Sequence, residues 1–295
     1  MSGPQDPVTP ARRPRLPTFL KQEIPSGPVF FKVQSELRSR KLNTVCEEAR
    51  CPNRTHCYAR GALTFQILGA VCTRRCGFCA EEFGKPPPPE PDEDIRILDA
   101  ARALELRHVV VTAPARDDLP DGGASAFART VRRLKEGLPG STVEVLVSDL
   151  QGNPESLRVV FESRPDVFNH NMETVRRLTP KVRSRAQYDR SLFVLEQAAR
   201  AGLMTKSGLM VGHGETRGEL LQTFRDLRTA GCRLLTVGQY LPPSAHHLPL
   251  IRFFDPAEFK DLEGEALRMG FEQVAAGPLV RSSYYAGEMV RTAAN

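Results

Sequence analysis

From residue 63 onward, short apolar runs rich in β-branched residues alternate with segments of helical periodicity. The β-rich runs are LTFQIL (63–68), HVVVTA (108–113), TVEVLV (142–147), DVFNHN (166–171), MTKSGLMV (204–211) and RLLTVGQYL (233–241). The helical segments between them are 93–106, 123–137, 154–163, 188–201 and 215–230. Near-continuous apolar strands that alternate with helices predict a parallel sheet with crossover helices.

The six β/α units lack a Rossmann glycine fingerprint, which favours an incomplete barrel over an open doubly wound sheet, although periodicity alone leaves both open. The fold prediction is therefore α/β: a partial (β/α)6 barrel with N-terminal and C-terminal extensions. Residues 1–30 are Pro-rich and predict a flexible tail, and PPPPEP (86–91) predicts a stiff linker. The predicted units are 1–30, the N-terminal extension 31–62 with a short helix over 31–42, the barrel 63–241, and the C-terminal extension 242–295 with a helix over 256–269.

Composition and charge narrow the class of protein. Hydrophobic residues make up 40% and charged residues 26% of the chain, as in ordinary globular proteins. No apolar run approaches the roughly 18 residues of a membrane helix, and the N-terminus lacks the apolar core of a secretory signal, so we expect a cytoplasmic protein without a membrane partner. The net charge of +6 suits a nucleic acid, an acidic protein partner or mere solvation. Because no nucleic-acid-binding motif occurs, we expect no nucleic acid partner.

Six of the seven cysteines lie between Cys46 and Cys79, which favours metal binding over disulfides. Cys46, Cys51 and Cys57 have the spacing C-x4-C-x5-C, and Cys72, Cys76 and Cys79 have the spacing C-x3-C-x2-C. Structural zinc sites are normally closed by four ligands, often in C-x2-C pairs. Three thiolates at unequal spacing instead suit three corners of a [4Fe–4S] cluster, although a zinc loop or unliganded thiols stay open.

Active sites of β/α barrels lie at the carboxyl ends of the strands. Thr112, Asn169 to Asn171, and Gln239-Tyr240 fall at such ends, and Cys72 follows the first strand. For the second triplet the missing fourth ligand leaves an open iron, which S-adenosylmethionine could occupy through its amino and carboxylate groups. A C-x3-C-x2-C loop after the first strand resembles the radical S-adenosylmethionine superfamily. The lone Cys232 is predicted to be a buried packing residue.

Further sequence blocks resemble the lipoyl synthase family over residues 17–288. They are TVCEEARCPNRTHC (44–57), RDDLPDGGA (116–124), VFNHNMETV (167–175), TKSGLMVGHGET (205–216), GQYLPPSAHHLP (238–249) and GPLVRSSYYAGE (277–288). The resemblance implies a partial barrel of the radical S-adenosylmethionine type, two [4Fe–4S] clusters, and insertion of sulfur at carbons 6 and 8 of a protein-bound octanoyl-lysine.

The resemblance also implies roles for individual residues. It makes Cys46, Cys51, Cys57 and Ser283 the ligands of an auxiliary cluster, which would supply the sulfur. It makes Cys72, Cys76 and Cys79 the ligands of the radical-generating cluster. The candidates for contacts with S-adenosylmethionine are Thr112, Asn169, Asn171, Glu173, Lys206 and Gln239. Each of these could instead be a polar residue that serves packing or caps a strand. Arg281 could orient a cluster sulfide or the substrate, or form a surface ion pair.

Implied partners are octanoylated lipoyl carriers, namely the lipoyl domains of 2-oxoacid dehydrogenases and the glycine cleavage H protein. The resemblance further implies an electron donor such as flavodoxin or ferredoxin, and an iron–sulfur carrier for cluster repair. The chain departs from the family at 112–114 (TAP), 148–150 (SDL), His213 and Tyr285. Two rivals stay open: an enzyme that resembles biotin synthase, and a zinc-stabilised protein that binds nucleic acid.

Overall fold

The computed structural model describes residues 15–21 and 27–293, with side chains to residue 290. Most of the predicted flexible tail, 1–14 and 22–26, lies outside the described residues. A short 3-10 helix, Thr18–Leu20, precedes the first α-helix and buries Leu20. Among the helices described, none has the length and apolar character needed to span a membrane.

Ten strands and eleven α-helices are described. The strands are β1 (Asn43–Thr44), β2 (Thr64–Gln66), β3 (Val71–Cys72), β4 (Glu82–Phe83), β5 (His108–Thr112), β6 (Thr142–Leu146), β7 (Val167–Asn169), β8 (Met204–Val211), β9 (Leu234–Gln239) and β10 (Gln273–Gly277). The helices are α1 (Pro28–Ser39), α2 (Val45–Glu48), α3 (Arg54–Ala59), α4 (Glu93–Ala103), α5 (Ala124–Gly137), α6 (Pro154–Glu162), α7 (Thr179–Val182), α8 (Tyr188–Arg200), α9 (Arg217–Thr229), α10 (Pro256–Arg268) and α11 (Ala286–Ala293).

The main sheet has eight strands in the order β1-β2-β5-β6-β7-β8-β9-β10. β1 pairs antiparallel with β2, and every other neighbouring pair in this sheet is parallel. β1 and β10 form the two edges, so the sheet does not close on itself in the described residues. The predicted α/β fold with a partial barrel is confirmed.

The structure adds a parallel strand that the sequence pattern did not predict. β10 lies in the predicted C-terminal extension and pairs in register with β9, from Gln273 opposite Leu234 to Gly277 opposite Gly238. Its sequence, QVAAG, contains small residues of weak β propensity, which hides the strand from a periodicity argument. Within the N-terminal extension, the segment 43–62 forms the short helices α2 and α3 around the first three cysteines.

The apolar core lies between the sheet and the helices. In the first half of the sheet, Phe65, Val111 and Val145 pack into one cluster with residues of α4 and α5 such as Ile97 and Val131. Strand residues alternate between the two faces of a sheet, so the intervening positions point away from the helices. Several of these positions carry polar or small residues and line a cavity; they include Gln66, Thr112, Gly208, Thr236 and Gly238.

Candidate active site

A cavity of about 1080 Å³ lies on the inner face of the sheet and reaches the carboxyl ends of the strands. Both cysteine triplets line this one cavity: Cys46, Cys51, Cys57, Cys72, Cys76 and Cys79. Cys232 is fully buried elsewhere, in the apolar cluster around β9, as the packing prediction expected. The fold therefore brings the two triplets together, although they come from different segments.

The second triplet lies in a loop fixed by backbone contacts. Cys72 ends β3, and its Sγ accepts a hydrogen bond from the backbone N–H of Arg74 at 3.3 Å. The N–H of Leu248 donates to the carbonyl of Gly77 at 2.9 Å. A Cβ at Gly77 would lie 2.8 Å from Leu248 Cγ, so this close approach requires glycine. Burial raises the pKa of Cys76 to about 11 against the opposing effect of Arg183, so a metal is needed to hold it as a thiolate near neutral pH.

The first triplet is distributed over two short helices and the turn between them. Thr44 caps α2, which holds Cys46, and the N–H of Cys51 donates to the carbonyl of Cys46 at 3.1 Å. Cys57 lies in α3. Burial raises the pKa of Cys46 and of Cys57 to about 12 each, and Cys51 adds to both shifts. These thiols are therefore suited to a metal that displaces their protons.

The tail segment (278–285) leads from β10 back to the first triplet. The side chain of Asn53 donates to the carbonyl of Leu279. Arg60, at the end of α3, donates to the Tyr285 hydroxyl at 3.2 Å and pairs with Glu288 at 3.0 Å. The tail thus crosses more than 200 residues of chain to line the cavity beside the cysteines.

Two adjacent serines of the tail segment differ in their partners. The Ser282 hydroxyl accepts a hydrogen bond from Asn171 Nδ2 at 3.2 Å. The Ser283 hydroxyl also lines the cavity, and the described residues offer it no hydrogen-bond partner. Of the two, Ser283 is the one whose oxygen is available to a ligand in the cavity.

Three of the candidates for S-adenosylmethionine contacts line the cavity: Thr112, Asn171 and Glu173. Asn171 Nδ2 donates to Glu173 Oε1 at 3.0 Å, and the Thr112 hydroxyl donates to the carbonyl of Leu146 at 2.8 Å. Glu173 has a left-handed backbone, with φ at 64°. Burial raises the pKa of Glu173, while Arg183, Asn171 and Arg281 oppose that rise. Arg281 lines the cavity as well, next to Cys51 and Glu173.

The other three candidates, Asn169, Lys206 and Gln239, do not line the cavity. Lys206 is buried and pairs with Glu144 at 3.0 Å, and Asn169 Nδ2 donates to the same carboxylate at 2.9 Å. Gln239 accepts from the N–H of Phe254 at 2.8 Å and donates to the carbonyl of Val211 at 3.0 Å. Lys206 and Gln239 therefore fit the alternative interpretation as satisfied buried polar residues, whereas Asn169 Oδ1 has no hydrogen-bond partner in the described residues.

Two titratable residues of the cavity, His170 and Arg183, received no role from the sequence pattern. His170 is buried between the carbonyl of Val147 and the hydroxyl of Ser191, both at 2.9 Å, and burial lowers its pKa to about 4. Arg183, from the end of α7, donates to the same Ser191 hydroxyl at 3.0 Å. His170 stands inside the VFNHN block, which was an available signal, whereas nothing in the local pattern marks Arg183.

The departures from the family pattern are spread around the site. Pro114 and Tyr285 line the cavity, and Asp149 contacts Arg74 in the cysteine loop. His213 lies behind the cavity wall, with its ring stacked on Tyr240 at a centroid distance of 4.2 Å.

No three His, Cys, Asp or Glu side chains in the described part of the chain converge closely enough to hold a single metal ion. The fit of iron–sulfur clusters therefore rests on the donor chemistry, with three free thiols in each set, and on the shared cavity. These residues fit such a group, because thiolates are the ligands that iron–sulfur clusters take.

Comparison with known proteins identifies the family. The sequence model of the radical SAM superfamily matches residues 67–227, and that of the N-terminal domain of lipoyl synthase matches residues 6–51. The lipoyl synthase of Bacillus cytotoxicus is 50% identical over 282 residues, which cover 95% of each chain. That of Rubrobacter xylanophilus is 49% identical over 94% of this chain and 87% of its own. The chain belongs to the lipoyl synthase family.

Solved structures agree on the fold. The SuiB protein of Streptococcus suis, solved with bound S-adenosylmethionine, matches 76% of this chain and 54% of its own at a TM-score of 0.56 and 12% identity. Methylornithine synthase matches 85% of this chain and 79% of its own at a TM-score of 0.51 and 15% identity. Membership of the lipoyl synthase family decides against both rivals, the biotin-synthase-like enzyme and the zinc-stabilised nucleic-acid-binding protein. It also implies S-adenosylmethionine and a [4Fe–4S] cluster as cofactors.

Proposed function

We propose that this chain is a lipoyl synthase, which inserts two sulfur atoms, at carbons 6 and 8, into an octanoyl group on a lysine of a lipoyl carrier protein. The observation that carries the proposal is that both cysteine triplets and the Ser283 hydroxyl line one cavity. A radical generated at one triplet and a sulfur source at the other must meet the same short chain, and a shared cavity provides for this.

Two clusters are proposed, one for each triplet. Cys72, Cys76 and Cys79 would hold the first, and Cys46, Cys51, Cys57 and Ser283 would hold the second. When bound, the first supplies the electron that cleaves S-adenosylmethionine to a 5′-deoxyadenosyl radical, and the second supplies sulfide to the substrate. A serine oxygen is a harder donor than a thiolate and matches iron less well, so Ser283 would release it more readily.

The remaining cavity residues bind and orient the substrates. Asn171 and Glu173, which follow β7, would offer amide and carboxylate oxygens to the ribose hydroxyls and the ammonium of S-adenosylmethionine, with Thr112 at the end of β5, two strands away. Val110 and Leu146 give the wall an apolar stretch that suits an octanoyl chain and excludes water. The volume of about 1080 Å³ exceeds the range of roughly 300–1000 Å³ for a single small-molecule site. It is therefore large enough for more than one group.

The proposal also includes the carrier protein that brings the octanoyl group and the protein that donates electrons. Exposed Lys32, Arg50 and Arg107 stand at the edge of the cavity and suit an acidic carrier such as a lipoyl domain or the glycine cleavage H protein. Flavodoxin or ferredoxin would donate electrons, and an iron–sulfur carrier would restore the consumed cluster. The cytoplasmic location expected from the sequence stays a prediction.

Single cysteine replacements test the division of labour between the triplets. Cys76→Ala should abolish cleavage of S-adenosylmethionine, because three thiolates are needed to hold the open cluster. Cys51→Ala should retain cleavage, measured as 5′-deoxyadenosine, and form no sulfur-containing product. Cys232→Ala removes a thiol outside the cavity and is the matched control. Lipoyl formation by Cys51→Ala at the wild-type level would refute a second cluster as the sulfur source.

A further inference from the structure

Arg74 is the buried member of an arginine pair in the cysteine loop (72–79), whereas Arg75 is exposed. The Arg74 guanidinium donates from Nε and Nη2 to the two oxygens of Asp117, both at 2.7 Å. Its Nη2 also lies 2.7 Å from Asp149 Oδ1. One buried cation thus joins the cysteine loop to the loops that follow two neighbouring strands, β5 and β6.

Backbone contacts extend this connection on both sides of Arg74. The N–H and the hydroxyl of Thr73 both donate to the carbonyl of Ala115, at 3.0 and 2.9 Å. The N–H of Asp117 donates back to the Thr73 hydroxyl at 3.0 Å. The N–H of Arg74 itself donates to Cys72 Sγ. The chain between Cys72 and Cys76 is therefore fastened to residues 115–117 at its first half.

The turn that carries Asp149 is strained. Leu150 and Gln151 have positive φ values of 43° and 56°, a left-handed conformation that is unfavourable for residues other than glycine. The N–H of Gln151 donates to Asp149 Oδ1 at 3.1 Å, and its side-chain amide reaches Asp117 Oδ1 at 3.4 Å. Such strain persists where the surrounding contacts require it, and here it directs the Asp149 carboxylate towards Arg74.

A buried ion pair is weak evidence for stability, because desolvation of the charges offsets their attraction. Burial alone would raise the pKa of Asp149, yet Arg74 outweighs it and the pKa lies below its ordinary value. What the bidentate fork adds is direction, since a guanidinium fixes a carboxylate in one plane whereas an ammonium does not. The arrangement therefore suits a device for position rather than for stability.

We propose that Arg74 is a positioning residue: with Asp117 and Asp149, it fixes the cysteine loop in the geometry that holds the cluster, before any cluster is bound. The proposal rests on the assignment of this triplet to the radical-generating cluster. Arg74 lines the cavity, whereas Asp117 and Asp149 do not, and their contacts make the first half of the loop preformed.

Hydrogen exchange of the full-length chain before iron–sulfur reconstitution tests the proposal. Arg74→Gln should speed amide exchange in residues 72–79 by about tenfold or more, while α8 and α9 keep their protection. Arg74→Lys should give an intermediate effect, because it keeps the charge and loses the fork. Arg75→Gln is the matched control in the same loop and should leave exchange unchanged. After reconstitution, a chelator should extract iron faster from Arg74→Gln than from Arg75→Gln.

Equal exchange of the loop in Arg74→Gln and Arg75→Gln would overturn the proposal. So would an increase in exchange over the whole chain for both Arg74→Gln and Arg74→Lys, because Arg74 would then act on global stability. Cleavage of S-adenosylmethionine by the wild-type chain is a separate measurement. Its absence would refute the proposed function whatever the exchange of the loop shows.

Discussion

Replacement of Gly238 by alanine should separate radical formation from sulfur insertion. Gly238 lies in β9 where the tail segment crosses the sheet, and the added Cβ would lie 2.0 Å from the carbonyl oxygen of Val280. The Val280 carbonyl carbon and Arg281 Nη1 would lie at 3.0 and 3.2 Å. Carbon and oxygen pack at about 3.2 Å or more, so the tail segment must move by about 1 Å.

That movement would carry Ser283 away from the first triplet, because Ser283 follows Val280 in the same short segment. A misplacement of about 1 Å near reacting atoms can lower a rate about 100-fold. We therefore expect Gly238→Ala to form 5′-deoxyadenosine close to the wild-type rate and lipoyl product about 100-fold more slowly. Overpacking should also lower the free energy of unfolding by about 1–3 kcal/mol.

The assay is an anaerobic reaction with octanoylated carrier peptide, with both products quantified by mass. Gly218→Ala is the matched control, since its added Cβ meets nothing within 4 Å and it lies in α9. Gly218→Ala should leave the amounts of both products unchanged and raise the free energy of unfolding by about 0.5–1 kcal/mol. A folded Gly238→Ala protein with a wild-type rate of lipoyl formation would refute the idea that the tail segment sets the position of Ser283.

Two further predictions concern single side chains. Ser283→Ala should keep cleavage of S-adenosylmethionine and stall sulfur insertion, while Ser282→Ala, which loses only the contact with Asn171, should impair insertion less; equal rates for both variants in the mass assay would contradict the assignment of Ser283. Burial lowers the pKa of His213 to about 4, below its ordinary value near 6.5. As the pH falls, the unfolded chain therefore binds a proton on His213 before the folded chain does. The free energy of unfolding should then decrease as the pH drops below about 6.5. By pH 5 this loss amounts to about 2 kcal/mol of the free energy of unfolding. Urea titrations at pH 7 and pH 5 should therefore show a loss that is smaller by about 2 kcal/mol in His213→Leu than in the wild type. The same loss in both proteins would show that His213 is not the group responsible.

The sequence pattern predicted the helices better than the edges of the sheet. α5 and α8 begin and end within one residue of the predicted 123–137 and 188–201, because each shows an amphipathic period with turn residues at its ends. β10 was missed because Ala275, Ala276 and Gly277 have little β propensity, and the strand forms through its register with β9.

In the candidate site, too, the sequence pattern predicted some features and missed others. The cysteine spacing predicts two triplets of metal ligands, and the structure places both beside one cavity, while their role as ligands stays a prediction. A position at a strand end does not determine what a side chain meets, however, so Asn169 and Lys206 could not be distinguished from Asn171. Their partner is Glu144, a carboxylate within the apolar run TVEVLV, and neither side chain lines the cavity. Glu144 was the available signal of that buried network.

A lipoyl synthase transfers two sulfur atoms from its own auxiliary site to an octanoyl group on a carrier protein. The most direct measurement uses protein reconstituted anaerobically with isotopically labelled sulfide, then freed of excess sulfide and mixed with S-adenosylmethionine, reductant and octanoylated carrier. We expect a carrier mass increased by two labelled sulfur atoms, with two molecules of 5′-deoxyadenosine formed per lipoyl group. An octanoyl group that stays unchanged while 5′-deoxyadenosine accumulates, or a product with unlabelled sulfur, would contradict it.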